Sequence, residues 1–273
     1  VETNVINGVP APADYDGDSL TDVAVMDPAK GTWFIRNSLT AQSETVWLGT
    51  RTEDIPVPAD YDGDGKADPA IRRPAAGFWA IQRSSDAMRA FVYFGKQETD
   101  IPLAADMNGD GYDDFIIRRP TTGDWYVKDA VTGDITQWFL GREVGDIPFV
   151  MDYNGDGINE FAIRRPSNRN WFIKELASND VTEIEFGQQV TDIPAIYDVD
   201  GDGRDDLVIR RPSEARFYWR PVLNYNGVDY SYFGKRDRYI PAAAPLIYRM
   251  PNVPWGMMRE QNQKIMTNPV VNP

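Results

Sequence analysis

Asp60-Tyr61-Asp62-Gly63-Asp64-Gly65-Lys66-Ala67-Asp68 reads D-x-D-G-D-G-x-x-D, and the pattern returns four more times. Asp14-Tyr15-Asp16-Gly17-Asp18 opens the series. Asp106-Met107-Asn108-Gly109-Asp110, Asp152-Tyr153-Asn154-Gly155-Asp156 and Asp198-Val199-Asp200-Gly201-Asp202 continue it. The first Asp falls at 14, 60, 106, 152 and 198, a constant spacing of 46 residues. A fixed period of this size marks a repeat architecture.

The second repeat serves as a template. A proline-bearing run with Pro56 and Pro58 leads into the acidic loop. Residues 69–73 follow, then Pro74, then 77–82, a polar turn around 84–86, and 90–94 closed by Gly95. These are four short β-prone runs bounded by Gly, Pro, Asp or Ser, with no helical periodicity between them. Four strands in one repeat is the size of a propeller blade. The second run is apolar on both faces (Phe115, Ile116, Ile117; Phe161, Ala162, Ile163; Leu207, Val208, Ile209), as a strand packed between neighbouring blades requires. The prolines of the first run place it at a sheet edge, which in a blade is the edge on the central channel. Trp33, Trp79, Trp125 and Trp171, with Phe217 in the fifth repeat, read as inter-blade core rather than as ligand-stacking rings.

The reading is therefore an all-β single domain over 1–273, a β-propeller of four-stranded blades. The repeats run about 9–54, 55–100, 101–146, 147–192 and 193–239, with a degenerate unit at 240–273. In that last unit residues 239–244, 246–250 and 254–258 resemble the first three strands, and the acidic loop has collapsed to Pro245. Six blades are expected, with 264–268 or 1–6 closing the sixth; five blades plus an extension is the alternative.

A second regularity runs through repeats two to five. Asp54, Asp100, Asp146 and Asp192 precede the Ile-Pro of the first strand, and Arg72-Arg73, Arg118-Arg119, Arg164-Arg165 and Arg210-Arg211 end the second. Repeat one has Gly8 and Met26-Asp27 instead, so acid and Arg pair are present together or absent together. Strand pairing puts them at one end of the blade, and a same-blade bidentate ion pair is expected. Partly exposed, it would contribute about 0–1 kcal/mol. An Arg ring binding an anionic ligand is the functional alternative.

The acidic loop carries the metal chemistry. Ca²⁺ takes about six to eight hard oxygens. Positions 1, 3, 5 and 9 offer side-chain oxygens and position 7 a backbone carbonyl. The candidate ligands are Asp14, Asp16, Asp18, Leu20 and Asp22; Asp60, Asp62, Asp64, Lys66 and Asp68; Asp106, Asn108, Asp110, Tyr112 and Asp114; Asp152, Asn154, Asp156, Ile158 and Glu160; and Asp198, Asp200, Asp202, Arg204 and Asp206. The loop is not an EF-hand: position 12 is apolar (Val25, Ile71, Ile117, Ile163, Ile209) and the flanks are strands. One copy would be ordinary turn chemistry. Five copies in register, each with an acid at position 9, point to about five structural Ca²⁺ ions. Extracellular Ca²⁺ modules bind at roughly 10⁻⁴–10⁻³ M, which suits a protein outside the cytoplasm.

Composition narrows the function. The formal net charge of −14 argues against nucleic acid and anionic membrane surfaces as partners. The chain has no His and no Cys, which removes Ser-His-Asp and Cys-His catalysis and thiol chemistry. No apolar run approaches the roughly 18 residues of a membrane span, so no membrane insertion is expected.

The loop, the apolar strand after it, the R-P-x-x-G-x-W run and the aromatic-Gly pairs (Phe94-Gly95, Phe186-Gly187, Phe233-Gly234) resemble FG-GAP/VCBS-type repeats. The resemblance covers roughly 9–235. It implies a calcium-binding propeller related to that of integrin α-subunits, and a secreted or cell-surface protein, extracellular or periplasmic and bacterial. Such repeats occur in lectins, adhesion modules and accessory domains of carbohydrate-active enzymes. The expectation is a non-enzymatic recognition module for a glycan or protein, with no catalytic residues. The alternatives are a polysaccharide lyase or glycosidase on the same scaffold, or a structural assembly subunit. Ligand residues are expected where the repeats differ, in the turns between third and fourth strands and in the tail; none can be named from the sequence, nor can the oligomeric state.

Overall fold

A computed structural model describes residues 8–221 and 229–232. Blade 1 comprises β1 (Val9–Pro10), β2 (Val23–Asp27), β3 (Thr32–Arg36) and β4 (Ser43–Trp47). Blade 2 comprises β5 (Ile55–Pro56), β6 (Ala70–Arg73), β7 (Phe78–Gln82) and β8 (Arg89–Tyr93). Blade 3 holds β9 (Ile101–Ala105), β10 (Asp114–Arg119), β11 (Asp124–Lys128) and β12 (Ile135–Phe139). Blade 4 holds β13 (Ile147–Met151), β14 (Glu160–Arg165), β15 (Asn170–Lys174) and β16 (Val181–Glu185). Blade 5 holds β17 (Ile193–Tyr197), β18 (Asp206–Arg211), β19 (Arg216–Arg220) and β20 (Asp229–Tyr232). Each blade is a four-stranded antiparallel sheet with its strands side by side in chain order.

The fold is an all-β propeller with five blades among the described residues, which corrects the expectation of six. The five coincide with the five acidic loops. The sixth was read from strand-like runs lacking the loop that ties the inner hairpin, and its residues, like the proposed closing segments, lie outside those described.

The first strand of every blade is an edge, as its prolines require. The second strand is buried on both faces: Ile116, Ile117, Phe161, Ala162 and Ile163 have no exposed surface. The blades pack in one recurring manner. Trp33 and Ile35 meet Ile71 and Ala80 of blade 2. Trp79 and Ile81 meet Phe115 and Ile117 of blade 3. Trp125 and Val127 meet Phe161 and Ile163 of blade 4. Trp171 and Ile173 meet Leu207 and Ile209 of blade 5. All four Trp side chains are fully buried. Their indole N–H groups donate to the carbonyls of Leu48, Phe94, Leu140 and Phe186 at 3.0, 3.0, 3.0 and 3.1 Å. A buried indole needs such an acceptor, so these rings are core and not ligand platforms.

The expected Asp–Arg pairs are present in blades 2 to 5 and are bidentate. Arg73 binds Asp54 at 2.7 and 2.8 Å, Arg119 binds Asp100 at 2.9 and 3.0 Å, Arg165 binds Asp146 at 2.7 and 2.8 Å, and Arg211 binds Asp192 at 2.9 and 2.9 Å. Each Asp side chain is fully buried and each Arg is 7–19% exposed, so these are interior pairs and not surface ones. The Asp hydrogen bond raises the pKa of all four guanidinium groups.

The first Arg of each pair has a different role. Arg72 donates to the carbonyls of Asp100, Gly95 and Gln97 at 2.9–3.0 Å. Arg118 donates to Asp146 O at 3.3 Å, and Arg164 to Gly187 O at 3.2 Å. Those carbonyls belong to the connection into the following blade. One Arg thus clamps the incoming connection through its Asp, and its neighbour clamps the outgoing connection through backbone. Burial lowers the pKa of Arg118 and brings that of Arg164 down to about 10. In blade 1 the outgoing clamp is replaced by buried Met26, while Asp27 pairs with Lys30 at 3.3 Å.

Candidate metal centres

Each acidic loop joins the first two strands of its blade, and its first Asp shapes the turn. Asp14 Oδ1 accepts the Gly17 N–H at 2.7 Å, and Oδ2 accepts that of Ser19 at 2.7 Å. Asp60 does the same with Gly63 and Gly65, Asp106 with Gly109 and Gly111, Asp152 with Gly155 and Gly157, and Asp198 with Gly201 and Gly203, all at 2.6–3.0 Å. The acid at position 5 accepts the N–H of position 7 in every loop, at 2.8–3.0 Å. Leu20, Lys66, Tyr112, Ile158 and Arg204 therefore all have their N–H groups turned back into their own loop. Position 6 has positive φ throughout, from 66° at Ser19 to 86° at Gly111, which explains glycine in four of the five loops.

The acid at position 9 is the most buried of each set: Asp22, Asp68, Asp114, Glu160 and Asp206 are at most 2% exposed. One carboxylate oxygen accepts the N–H of position 2, from Tyr15, Tyr61, Met107, Tyr153 and Val199 at 2.9–3.3 Å. In the first three blades the other oxygen accepts an N–H from the turn between third and fourth strands: Ser38, Ser84 and Ala130, at 2.7, 2.6 and 2.9 Å. Further side chains from those turns reach the loop. Asn37 donates to Asp16 at 2.6 Å, Ser85 to Asp62 at 2.5 Å and Ser84 to Asp64 at 2.9 Å. These turns, where ligand residues are expected, brace the acidic loops. They carry no common side chain that would show this in the sequence, because the recurring bond is made by backbone.

The loops differ in how closely their acids converge. Carboxylate oxygens of Asp14, Asp16 and Asp18 lie within 4.8 Å of one another, as do those of Asp60, Asp62 and Asp68, and those of Asp198, Asp200 and Asp206. In loops three and four position 3 is an amide. Asn108 donates to Asp110 and Asp129 at 3.2 and 2.9 Å, and Asn154 donates to Glu160 at 3.4 Å. Asp16 Oδ1, Asp18 Oδ2 and Asp62 Oδ1 are buried without a hydrogen-bond donor. A buried carboxylate oxygen with no donor is costly. Desolvation pushes the carboxyl pKa of Asp68 and Asp114 up to about 6 and of Glu160 up to about 7, and it raises that of Asp206.

Position 8, which the sequence reading left aside, links each loop to the one before it. Ala67 N–H donates to Asp14 O at 2.7 Å, Asp113 to Asp60 O at 2.7 Å, Asn159 to Asp106 O at 3.3 Å and Asp205 to Asp152 O at 2.9 Å. Burial brings Asp113 and Asp205 to pKa values of about 6.

The blade surface is less uniform than the loops. On blade 2, Phe78 stacks with Phe91 at a centroid distance of 5.6 Å and meets Tyr93 at 5.4 Å, and Phe91 and Tyr93 are 58% and 72% exposed. The Arg73 guanidinium lies 5.5 Å over the Phe78 ring. Blade 3 has Asp124, Gln137 and Phe139 at the three corresponding positions, and blade 4 has Asn170, Glu183 and Glu185.

Comparison with known proteins fits this architecture. Residues 14–70 match the model of the FG-GAP-like repeat. The other four acidic loops and blades follow the same 46-residue plan, and together these findings support a propeller of FG-GAP/VCBS-type repeats. No curated protein matches it. Among solved structures it resembles an Agrocybe aegerita lectin described by its recognition of non-reducing terminal N-acetylglucosamine, with 16% identity and a TM-score of 0.57. That match covers 80% of this chain and 64% of the lectin. It also resembles an auxiliary nutrient binding protein from Bacteroides thetaiotaomicron, with 10% identity, a TM-score of 0.53, and 82% and 57% of the two chains covered. A protein of the same description from Bacteroides ovatus has 8% identity and a TM-score of 0.52, over 83% and 57% of the chains. The chain thus spans less than two thirds of the length of these structures, and at such identities the likeness is one of fold. No helix among the described residues is long and apolar enough to cross a membrane.

Proposed function

We propose that the chain is a calcium-fastened, non-enzymatic recognition propeller that works outside the cytoplasm and binds a glycan or a protein. The observation that carries the calcium reading is the set of donor-less buried oxygens on Asp16, Asp18 and Asp62, in loops whose other acids are already bound to backbone N–H groups. A hard dication satisfies such oxygens, and the all-oxygen donor set suits Ca²⁺. Asp14, Asp16 and Asp18, Asp60, Asp62 and Asp68, and Asp198, Asp200 and Asp206 would hold it in loops one, two and five. Asp106, Asn108, Asp110 and Asp114, and Asp152, Asn154, Asp156 and Glu160, would hold it in loops three and four, with the amides presenting their oxygens. Five dications would add ten positive charges against a net −14.

The recognition reading is supported by the blade 2 surface. Phe78 and Phe91 break the repeat, placing rings where blades 1, 3 and 4 have Thr32 and Thr45, Asp124 and Gln137, and Asn170 and Glu183. Tyr93 joins them at a position that is also aromatic in blades 1 and 3 (Trp47, Phe139), and Phe91 and Tyr93 are exposed. Aromatic faces combined with hydrogen-bonding groups suit the apolar faces and hydroxyls of a sugar. The propeller fold is shared with a lectin and with nutrient binding proteins. Among the described residues, every acid whose pKa burial pushes up belongs to an acidic loop, which favours scaffold over general acid–base chemistry.

A glycan array probed with and without Ca²⁺ tests the reading. Binding that requires Ca²⁺ and disappears in Phe91→Ala/Tyr93→Ala is the expected result. Binding unchanged in that variant would place recognition elsewhere, and turnover of a polysaccharide would replace the reading with an enzymatic one.

A further inference from the structure

The links between consecutive loops are not equivalent, and they run in one direction. Asp113 belongs by sequence to loop three, yet it holds both main-chain groups of Asp60, the first residue of loop two. Its Oδ2 accepts the Asp60 N–H at 2.8 Å, and its own N–H donates to Asp60 O at 2.7 Å. Asp205 of loop five holds Asp152 of loop four in the same way, at 2.9 Å in both bonds. The neighbouring side chains reinforce the grip. A Cβ on Gly63 would come within 2.6 Å of the Tyr112 ring, and one on Gly155 within 3.0 Å of the Arg204 stem, so these side chains lie directly on the preceding loop. Arg204 Nε also donates to Asn154 O at 3.0 Å.

The other two links are weaker in kind. Asn159 presents only donors to loop three, its N–H and Nδ2 both bonding Asp106 O at 3.3 and 3.0 Å. Ala67 offers loop one its N–H alone, at 2.7 Å, because its side chain has no polar atom.

Position 1 is the residue around which each loop folds, since its carboxylate gathers the N–H groups of positions 4 and 6. A residue that fixes the backbone of position 1 fixes where that carboxylate stands relative to positions 3, 5 and 9. Resting on the calcium reading above, we infer that Asp113 is a positioning residue for the cation site of loop two, and Asp205 for that of loop four. Each site is therefore completed by the following blade and reports on whether two blades are docked. Outer groups that orient ligands set metal affinity by about 10–100-fold. By sequence Asp113 stands in loop three beside Asp114, while its bonds are to the first residue of loop two.

The test is a calorimetric Ca²⁺ titration of the full chain after chelation, with folding of each variant checked by circular dichroism. Asp113→Ala is expected to weaken one site by about ten-fold or more. Asp113→Asn keeps an acceptor for the Asp60 N–H and is expected to recover most of that loss. In a background with loop two disabled by Asp62→Asn/Asp64→Asn, Asp113→Ala should have no further effect. With loop three disabled by Asp110→Asn, the loss should persist. The inference is overturned if Asp113→Ala acts equally with loop two disabled, or if it leaves every site unchanged in a protein that binds Ca²⁺. A wild-type chain that takes up no Ca²⁺ removes the calcium reading and the inference with it. If Asp113→Ala does not fold, Asp205→Ala puts the same question to loop four.

Discussion

Asp146 holds two guanidinium groups: Arg165 binds it through both oxygens, and Arg118 stands 3.7 Å away. It also accepts the N–H of Glu143 at 3.2 Å. Removing one partner of a buried pair leaves an uncompensated charge. Asp146→Ala is therefore expected to lower stability by about 3–5 kcal/mol in urea denaturation. Glu143 is 52% exposed and lies 3.3 Å from the same Arg165. Its Gln variant should stay within about 1 kcal/mol of wild type, and a large loss there would contradict the interior reading of Asp146. The Asp–Arg pairs were legible in the sequence because acid and Arg-Arg occur together. The outgoing clamp made by Arg72, Arg118 and Arg164 was not, because its acceptors are backbone carbonyls that leave no residue type to co-occur with.

Residue-scale electrostatics also fixes the sign of a pH effect. Asp68, Asp113, Asp114 and Asp205 have folded pKa values of about 6 and Glu160 of about 7, all above their ordinary values. The folded state then holds more protons than the unfolded state between roughly pH 4 and pH 7, so stability falls as pH rises through that window. Chelated protein is expected to melt higher at pH 5 than at pH 7. On the proposed calcium reading Ca²⁺ competes with those protons, so it should raise the melting temperature more at pH 7 than at pH 5. Equal Ca²⁺ shifts at both pH values would mean that the raised acids and the cation sites are unconnected.

Within the elements, the acidic loop was the most legible feature, since its demands fall on side chains and on glycine. Its partners in the third-to-fourth-strand turns and at position 8 were hidden, because the bond common to Ala67, Asp113, Asn159 and Asp205 is made by backbone N–H and needs no common side chain. Two glycines separate local strain from packing. Gly157 has φ +84° and open space around a would-be Cβ, so Gly157→Ala should cost only the left-handed conformation, about 1–2 kcal/mol. Gly123 has φ +80°, but its Cβ would stand 2.0 Å from the Gly141 carbonyl oxygen, where third and outer strands meet. Gly123→Ala should be clearly the worse of the two in thermal unfolding; equal losses would show that the blade edge yields easily. Trp125, fully buried with its N–H bonded to Leu140 O, is expected to cost about 3–5 kcal/mol as Trp125→Ala.

For the whole molecule, the constant period of 46 residues made the blade plan readable before any contact was known. The sixth unit, read from strand-like runs without an acidic loop, lies outside the described residues; among those described, blades and acidic loops come one for one. The blades are joined by shared Trp-centred cores, by Arg clamps on the connections and by the chain of linked loops. On the proposed calcium reading, the loops are the part of this scaffold that a solution condition switches. Thermal unfolding of the rigorously chelated full chain, repeated at millimolar Ca²⁺, therefore bears most directly on the account. Binding to the folded form alone must raise the midpoint with cation concentration, and a large upward shift accompanied by uptake of about five ions per chain is the predicted result. Superimposable melting curves with no uptake would contradict it.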